Sequence, residues 1–315
     1  MAYYLGIDGG GSKTTCAVGD DTSQLSIVTT GPSNITRGGE DRARESLHHA
    51  IRQACTAAEI DPRQVQRACI GVAGTGRAEI AGAVRRMVTE LISGEIKVVG
   101  DMQIALAAAF GTGPGVIVIA GTGSIAYGRD AQGRTARAGG WGFAISDEGS
   151  AHWIGRTAVG SLLRTIDQSN DDGEDAQAAA EAAPLFRKLN AAWKLHSLDE
   201  FVRTANSNPD FAVLFPAILA AAEAGDDLAQ RVLTRAGGEL AQLAAIVIGR
   251  LFAQRGACMP IVPLAMTGGV FRYSPGVREA FCNQVRKLDS RLDLNEQVVE
   301  PVAGALEMAR NGSAT

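Results

Sequence analysis

Hydrophobic and polar positions along the chain predict two segments that are built in the same way. The first begins with an apolar run over residues 3–7, which is followed by a glycine-rich turn and by the β-branched stretch 14–18. The second has an apolar run over 116–120, a turn of small residues and a further run over 125–129. Short apolar runs bounded by glycine are typical of buried strands. We therefore expect two β-hairpins and an internal duplication.

The remaining pattern alternates between strands and helices and then becomes mostly helical, as periods of two and of 3.6 residues indicate. Further strands are predicted at 25–30, 68–72, 96–99 and 262–266, the last strand of the chain. Helices are predicted at 42–58, 78–92, 150–166, 176–194, 198–205, 211–223 and 228–253, the last one broken at Gly237-Gly238, and after Pro301. The acidic stretch 167–175 is expected to form an exposed loop.

This alternation predicts an α/β fold with two domains. We place the first domain at 1–113 and the second at 114–315. Helices enlarge the second domain, and its last helix could pack back on the first.

Composition and charge restrict the classes of function. Hydrophobic residues make up 46 % of the chain and charged residues 20 %, which suits a globular protein. Lys and Arg number 30 against 34 Asp and Glu, which gives a net charge of −4. The chain thus lacks the excess of positive charge that is typical of proteins that bind nucleic acid. No apolar run reaches the length of a membrane span, and the N-terminus has no basic leader. Five scattered cysteines suggest neither disulfides nor a metal cassette, so a reducing cytoplasm is expected.

Both turns carry features of phosphate binding. Glycines leave backbone N–H groups open to an oxyanion, and the carboxylate of Asp8 could hold Mg²⁺ through its water shell. A Walker or dinucleotide-binding loop is disfavoured, because strand residues rather than a helix follow the glycines. A single turn of this kind is equally compatible with an ordinary hairpin that carries a solvated aspartate. The second turn, Gly121-Thr122-Gly123-Ser124, favours phosphate binding, because two turns could hold one polyphosphate.

Three further places carry candidate chemistry. Asp101 follows a strand, where it could accept a proton from a hydroxyl or cap the next helix, two compatible roles. Trp141 among glycines, followed by Asp147 and Glu148, could bind a sugar through an apolar face and carboxylates. The alternative places Trp141 and Trp153 in the core and makes Asp147 a helix cap. We assign His152 to the core.

Taken in order, these motifs resemble the N-acetylglucosamine kinases and BadF/BadG-type ATPases of the superfamily that includes actin, Hsp70 chaperones and hexokinase. The resemblance runs over nearly the whole chain, through DGGGSKTT, GPSN, Asp101, AGTGS, GGWG, DEGSAHWIG and TGGV. It implies two ribonuclease-H-like domains with ATP and Mg²⁺ in the cleft between them. It also implies a kinase that phosphorylates the 6-hydroxyl of an amino sugar, most simply N-acetylglucosamine, with glucosamine or N-acetylmuramic acid as other acceptors, and a homodimer.

The resemblance also assigns roles to individual residues. Asp101 corresponds to the catalytic base. The residues that correspond to ATP contacts are Gly10, Gly11, Ser12, Lys13, Thr14, Gly121, Thr122, Gly123, Ser124, Gly268 and Gly269. The residues that correspond to sugar contacts are Asn34, Gly140, Trp141, Asp147 and Glu148. Ser146 stands where the family usually has glycine, and Met102 where it usually has alanine.

Two other functions are compatible with the same motifs. One is an ATP-hydrolysing activator of a CoA-ester reductase or dehydratase, which would need cysteines for an iron–sulfur cluster. The scattered cysteines argue against it. The other is a non-catalytic binding module switched by nucleotide, which would leave the residues from Trp141 to Glu148 without a function.

Overall fold

The structure is a computed structural model that describes residues 2–75, 77–168, 183–252, 261–289 and 291–312. It contains two five-stranded sheets. The chain divides into two compact units. Unit 1 comprises Met1–Ile117, Tyr127–Thr135 and Gln297–Thr315, and unit 2 comprises Val118–Ala126 and Ala136–Glu296.

The first sheet has the strand order β3-β2-β1-β4-β5. Its strands are β1 (Tyr3–Gly9), β2 (Thr14–Gly19), β3 (Gln24–Thr30), β4 (Val65–Val72) and β5 (Glu95–Val99). Strands β1 and β2 form the predicted antiparallel hairpin, whereas β1, β4 and β5 run parallel to one another. Parallel strands end at the same edge of a sheet, so the residues after β1 and β5 come close together.

Helices cover both faces of this sheet. They are α1 (Ile35–Gly38), α2 (Glu40–Ala57), α3 (Ala78–Thr89), α4 (Asp101–Phe110) and, at the end of the chain, α12 (Pro301–Asn311). Leu5 and Ile7 pack with residues of α2 and α3, while Tyr4 packs with residues of α4 and α12. This alternation follows from the two-residue period of a strand.

The second sheet repeats the arrangement of the first. Its order is β10-β9-β6-β7-β8, which read backwards matches the first sheet strand for strand. The strands are β6 (Gly115–Ala120), β7 (Ser124–Arg129), β8 (Thr135–Gly139), β9 (Val262–Thr267) and β10 (Leu292–Val299). The repeated order agrees with the predicted duplication and confirms the predicted α/β class. The expectation that β9 is the last strand is wrong, because β10 follows it; the run of exposed polar residues Asn295, Glu296 and Gln297 interrupts the alternation that would have indicated a strand.

Helices enlarge the second half of the chain, as predicted. They are α5 (Ala151–Asp167), α6 (Pro184–Trp193), α7 (Leu198–Asn206), α8 (Phe215–Glu223), α9 (Asp227–Phe252), α10 (Gly269–Tyr273) and α11 (Pro275–Leu288). A 3-10 turn, Phe211–Leu214, precedes α8 within the predicted helix 211–223. Most of the predicted loop 167–175 and the first part of the predicted helix 176–194 lie outside the described residues.

Helix α9 is continuous, so the predicted break at Gly237-Gly238 is wrong. Gly237 is needed for packing: a Cβ there would lie 2.6 Å from the Val277 carbonyl oxygen and 2.7 Å from the Ala280 Cβ. Helix α9 is long and apolar enough to cross a membrane by composition, yet more than half of its apolar window is buried within the protein. We interpret it as the central helix of this half of the chain.

The two glycines of α9 give a matched pair of variants. A Cβ at Gly238 meets nothing within 4 Å. Gly238→Ala should therefore raise the free energy of unfolding by about 0.5–1 kcal/mol, because alanine restricts the unfolded chain. Gly237→Ala should lower it by about 1–3 kcal/mol, because the added methyl overpacks the contact with α11. Urea denaturation of both variants checks this, and equal stabilisation by the two would contradict the close packing at Gly237.

Candidate functional site

The parallel strands of unit 1 bring two carboxylates to one edge of the sheet. Asp8 pairs in register with Gly71, and Gly71 pairs with Val99, so β1, β4 and β5 end side by side. Asp101 follows β5 after one residue and begins α4. The sequence indicates Asp8 and Asp101 as two separate candidates. The sheet brings them to one edge, where they form one acidic site.

Asp8 has a strongly perturbed pKa. Burial, as the largest cause, together with the nearby charges of Asp101 and Glu300 raises its pKa to about 7, while the ammonium group of Lys13 acts in the opposite direction. Near neutral pH the carboxyl is therefore balanced between its acid and its carboxylate. A cation next to Asp8 would shift that balance toward the carboxylate.

Asp101 is the first residue of α4, and not its N-cap as predicted. Gly100 is the cap, and its N–H donates to the Oε1 atom of Gln103 at 2.9 Å. The Asp101 Oδ1 atom accepts a hydrogen bond from the N–H of Met102 at 2.9 Å. Burial raises the pKa of Asp101, and the backbone N–H groups of Asp101 and Met102 partly oppose this. A half-buried carboxylate of raised basicity is suited to accept a proton.

The first glycine turn closes tightly beside Asp8. The N–H of Gly10 donates to the Lys13 carbonyl at 2.9 Å, and the Gly10 carbonyl accepts from the N–H of Ser33 at 3.2 Å. The buried Thr14 hydroxyl donates to the Ser33 hydroxyl at 2.8 Å. Ser12 and Lys13 are exposed at the tip of the turn. Next to Ser33, Asn34 uses its Oδ1 atom to cap α1 through the N–H of Arg37.

The second glycine turn is tied to the predicted sugar segment, and both belong to unit 2. The N–H of Gly121 donates to the Gly123 carbonyl at 2.9 Å, which closes the turn. The Ser124 hydroxyl donates to the Glu148 carbonyl at 2.7 Å, and the Gly121 carbonyl accepts from the N–H of Ala151 at 2.9 Å. A displacement of the segment that carries Glu148 would therefore also displace this turn, because these hydrogen bonds connect the two.

Asp147 is held in a special backbone conformation beside the turn. Its φ is +66°, which a non-glycine residue rarely adopts. Its Oδ1 atom accepts from the N–H of Gly142 at 3.3 Å, and a Cβ at Gly123 would lie 2.8 Å from its Oδ2 atom. The cap of α5 is Ser150, whose hydroxyl accepts from the N–H of Trp153, so the cap interpretation of Asp147 is wrong.

The aromatic residues of this region divide into two groups. Trp141 is 66 % exposed, so the alternative that placed it in the core is wrong for this residue, whereas Trp153 is buried as the same alternative expected. His152 is buried against the rings of Phe143 and Phe211, which confirms its assignment to the core. Trp141 follows Gly140, which is exposed and has φ of +69°. Its indole is largely exposed, with the guanidinium of Arg137 stacked over the ring.

The third predicted nucleotide element lies at the end of β9. Gly268, with φ of +104°, precedes α10, and a Cβ there would lie 2.3 Å from the Ala120 carbonyl oxygen. Only glycine permits β6 and the start of α10 to approach this closely. Gly269 is the first residue of α10, and the ring of the exposed Tyr273 lies beside it.

The acidic site of unit 1 fits a magnesium ion that is held through water. The described residues contain no group of three His, Cys, Asp or Glu side chains arranged to enclose a metal. Mg²⁺ in phosphate-binding sites commonly uses one or two carboxylates, with water and phosphate oxygens as its other ligands. Burial and, after it, the negative charges of Asp101 and Glu300 raise the pKa of Asp8, and such a cation would offset that negative charge. Asp8 would hold the hydrated ion, and the ion would offset charge on phosphate.

Sequence reasoning missed three residues of these sites. Glu300 acts on Asp8 from the segment before α12, which no local motif reveals. Ser33 bonds to Thr14 from the GPSN turn, whose asparagine alone was singled out. The guanidinium of Arg137 stacks over Trp141, 4.2 Å from the centre of the ring. An arginine four positions before the tryptophan on a strand gave no signal by itself.

The raised pKa of Asp8 predicts how the stability of the protein without nucleotide or Mg²⁺ depends on pH. Because the folded-state pKa of about 7 exceeds the unfolded value of about 4, Asp8 stabilises the fold at low pH. This contribution is lost as pH rises through 7. Asp8→Asn removes the loss, so its free energy of unfolding should exceed that of the parent by a margin that grows from about pH 4 to about pH 7 and reaches on the order of 2–4 kcal/mol at pH 8, with a corresponding rise in the thermal midpoint.

Thermal unfolding of the parent, Asp8→Asn and the exposed-site control Asp293→Asn at pH 5 to 8 checks this. The control should show no gain that grows with pH. An Asp8→Asn difference that stays constant from pH 5 to 8 would contradict the raised pKa.

Comparison with known proteins identifies the family. Residues 5–309 match the BadF/BadG/BcrA/BcrD ATPase family. The chain is 36 % identical over 242 residues to the N-acetylmuramic acid/N-acetylglucosamine kinase of Clostridium acetobutylicum, covering 76 % of this chain and 77 % of the relative. It is 28 % identical over 320 residues to the N-acetyl-D-glucosamine kinase of Dictyostelium discoideum, covering 98 % of each chain.

A solved structure from Chromobacterium violaceum, provisionally named an N-acetylglucosamine kinase, has the same fold. Its TM-score to this chain is 0.75 at 22 % identity, over 98 % of this chain and 99 % of the other. The fold expected from the sequence resemblance is thereby confirmed. Together with the match over nearly the whole sequence, this shows that the chain belongs to the BadF/BadG/BcrA/BcrD ATPase family.

Proposed function

We propose that the protein is an ATP-dependent kinase that phosphorylates the 6-hydroxyl of an amino sugar, with N-acetylglucosamine as the simplest acceptor. The observation that carries this proposal is the pair of carboxylates in unit 1, Asp8 and Asp101, at the ends of parallel strands beside a glycine turn. Phosphoryl transfer needs charge neutralisation and a positioned base, and this pair supplies one residue for each. The kinase names of the two curated relatives support the same reaction.

ATP binding is assigned to the glycine turns. We assign the phosphates to Gly10–Thr14 in unit 1 and Gly121–Ser124 in unit 2, whose backbone N–H groups suit oxyanions. We assign the adenosine to Gly268 and Gly269, which lie where β9 ends and α10 begins, as the family resemblance implies. Asp8 holds the hydrated Mg²⁺, which offsets charge on the phosphates.

Asp101 performs the proton transfer. Its carboxylate accepts the proton of the 6-hydroxyl while the hydroxyl oxygen forms a bond to the γ-phosphorus and the bond to the β-phosphate oxygen of ATP breaks. The products are ADP and the sugar 6-phosphate. The raised pKa of Asp101 strengthens it as a base, and the hydrogen bond from Met102 fixes its Oδ1 atom.

The sugar contacts are assigned to Asn34 in unit 1 and to Gly140, Trp141, Asp147 and Glu148 in unit 2. The exposed indole of Trp141 offers an apolar face to a sugar ring. Asp147 is fixed by Gly142, and the Ser146 hydroxyl donates to the Glu148 Oε2 atom at 2.8 Å. These carboxylates are positioned before a ligand arrives, which lowers the entropy cost of binding sugar hydroxyls.

The alternatives from the sequence have less support. An activator with an iron–sulfur cluster needs accessible cysteines, but Cys16, Cys55, Cys69 and Cys282 are buried, and burial raises their pKa values. Cys258 lies outside the described residues. A nucleotide-switched module would not use the fixed carboxylates near Trp141. We place the enzyme in the cytoplasm, where ATP is available, as a homodimer that binds a small sugar and no nucleic acid or membrane.

A panel of sugars tests the proposed activity. With ATP and Mg²⁺, N-acetylglucosamine should stimulate ADP release, and phosphate should appear on the sugar in equal amount. The 6-deoxy analogue should bind without being phosphorylated, because it lacks the acceptor oxygen. Coupled ADP assays with mass spectrometry of the sugar measure both. An ATP hydrolysis rate that no amino sugar changes would contradict the kinase assignment and favour the switched module.

A further inference from the structure

Arg137 presents a positive charge next to the predicted sugar contacts. Its guanidinium lies 4.2 Å from the centre of the Trp141 ring, which is a cation–π arrangement. Its remaining contacts are long hydrogen bonds, 3.3 Å to the Gly139 carbonyl and 3.4 Å to the Gly140 carbonyl. Within the described part of the chain, no carboxylate forms an ion pair with this guanidinium. Most of its donor capacity is therefore unused.

The backbone below Arg137 is rigidly placed. Arg137 belongs to β8, and its carbonyl accepts a hydrogen bond from Arg250 of α9. The side chain is thus carried by a strand that a long helix supports, and not by a mobile loop. The N–H donors of a guanidinium lie in one plane, and stacking on the indole fixes the orientation of that plane, so the group is prepared to bind a carboxylate with two parallel hydrogen bonds.

The charge balance near Trp141 shows what this cation is suited to bind. Trp141 precedes Gly142, whose N–H holds the carboxylate of Asp147, and Glu148 follows. Two carboxylates would repel an acidic sugar, while they are favourable for neutral hydroxyls. A neutral sugar needs no cation beside the indole. An acidic sugar needs one, and Arg137 supplies it.

We propose that Arg137 is a specificity-determining residue that binds a carboxylate substituent of the amino sugar, so that the enzyme accepts acidic amino sugars as well as neutral ones. N-acetylmuramic acid has this chemistry, because its lactyl ether adds one carboxylate to N-acetylglucosamine. The proposal rests on the proposed kinase function and adds to it a residue that would discriminate between acidic and neutral acceptors. Arg137 would act on the binding of the carboxylate and not on proton transfer.

The test compares the two sugars in the parent and in Arg137 variants. We expect Arg137→Gln to lower kcat/KM for N-acetylmuramic acid by roughly 10- to 100-fold relative to N-acetylglucosamine, through KM, as loss of a charged hydrogen bond requires. Arg137→Lys keeps the charge but loses the planar fork, so its effect should be intermediate. Arg235→Gln is the matched control, because Arg235 also stacks on a tryptophan, the buried Trp153. It should leave the ratio of the two sugars unchanged.

The outcomes separate the two proposals. If the parent phosphorylates N-acetylglucosamine but not N-acetylmuramic acid, the role of Arg137 is overturned and the kinase function stands. If Arg137→Gln slows both sugars equally at an unchanged thermal midpoint, Arg137 only supports the loop, and the proposal is again overturned. If neither sugar is phosphorylated by the parent, the kinase function itself fails. A selective loss with the acidic sugar supports the proposal.

Discussion

The structure depends on the placement of two partly buried carboxylates, Asp8 and Asp101, at one edge of a parallel sheet. Burial raises the pKa of both, and their mutual repulsion adds to the pKa of Asp8. Two such groups are costly in an empty site, because both cannot be ionised without penalty. In the proposed function a divalent cation and phosphate would change this balance, since the cation would neutralise Asp8 and leave Asp101 to act as the base. The fold thus maintains an unfavourable arrangement that the proposed substrates would relieve.

In unit 2, hydrogen bonds connect the two groups of candidate residues. The second glycine turn is joined to the segment of Asp147 and Glu148 by two hydrogen bonds, and Gly123 leaves no space for a side chain next to the Asp147 carboxylate. The proposed phosphate contacts and the proposed sugar contacts of this unit therefore cannot move independently. Because interiors are closely packed, a shift at Asp147 on sugar binding would be transmitted to the turn. This provides a physical route by which a sugar could influence hydrolysis of ATP.

Much of the fold could be predicted from the sequence, because strong local patterns encode it. The hairpin of β1 and β2 follows from an apolar run, a glycine turn and β-branched residues, and the helix α2 follows from its periodicity. The break in α9 was wrong because Gly237 serves a contact with α11 that lies 40 residues later in the chain. Strand β10 was missed because a run of exposed polar residues interrupts its alternation. Local sequence patterns do not reveal tertiary contacts of the kind that Gly237 makes.

The candidate site was predictable in its residue types but not in its geometry. The sequence identified three candidates by their residue type and their position at a turn or a strand end, namely Asp8, Asp101 and Trp141. The repulsion between Asp8 and Asp101 requires the parallel order of β1, β4 and β5, which no single motif specifies. The cap roles expected for Asp101 and Asp147 belong instead to Gly100 and Ser150. The sequence indicates which side chains are candidates, and the sheet order decides which of them lie together.

The most direct measurement is single-turnover phosphorylation of N-acetylglucosamine by Asp101→Asn, together with its affinities for ATP and sugar and its thermal midpoint. The substitution keeps the size of the side chain and an oxygen that accepts from Met102, and it removes the base. Turnover should fall by about 10²- to 10⁴-fold while both affinities change little. The thermal midpoint should be unchanged or higher, because a partly buried charge is lost. Turnover near that of the parent would contradict the assignment of Asp101 as the base.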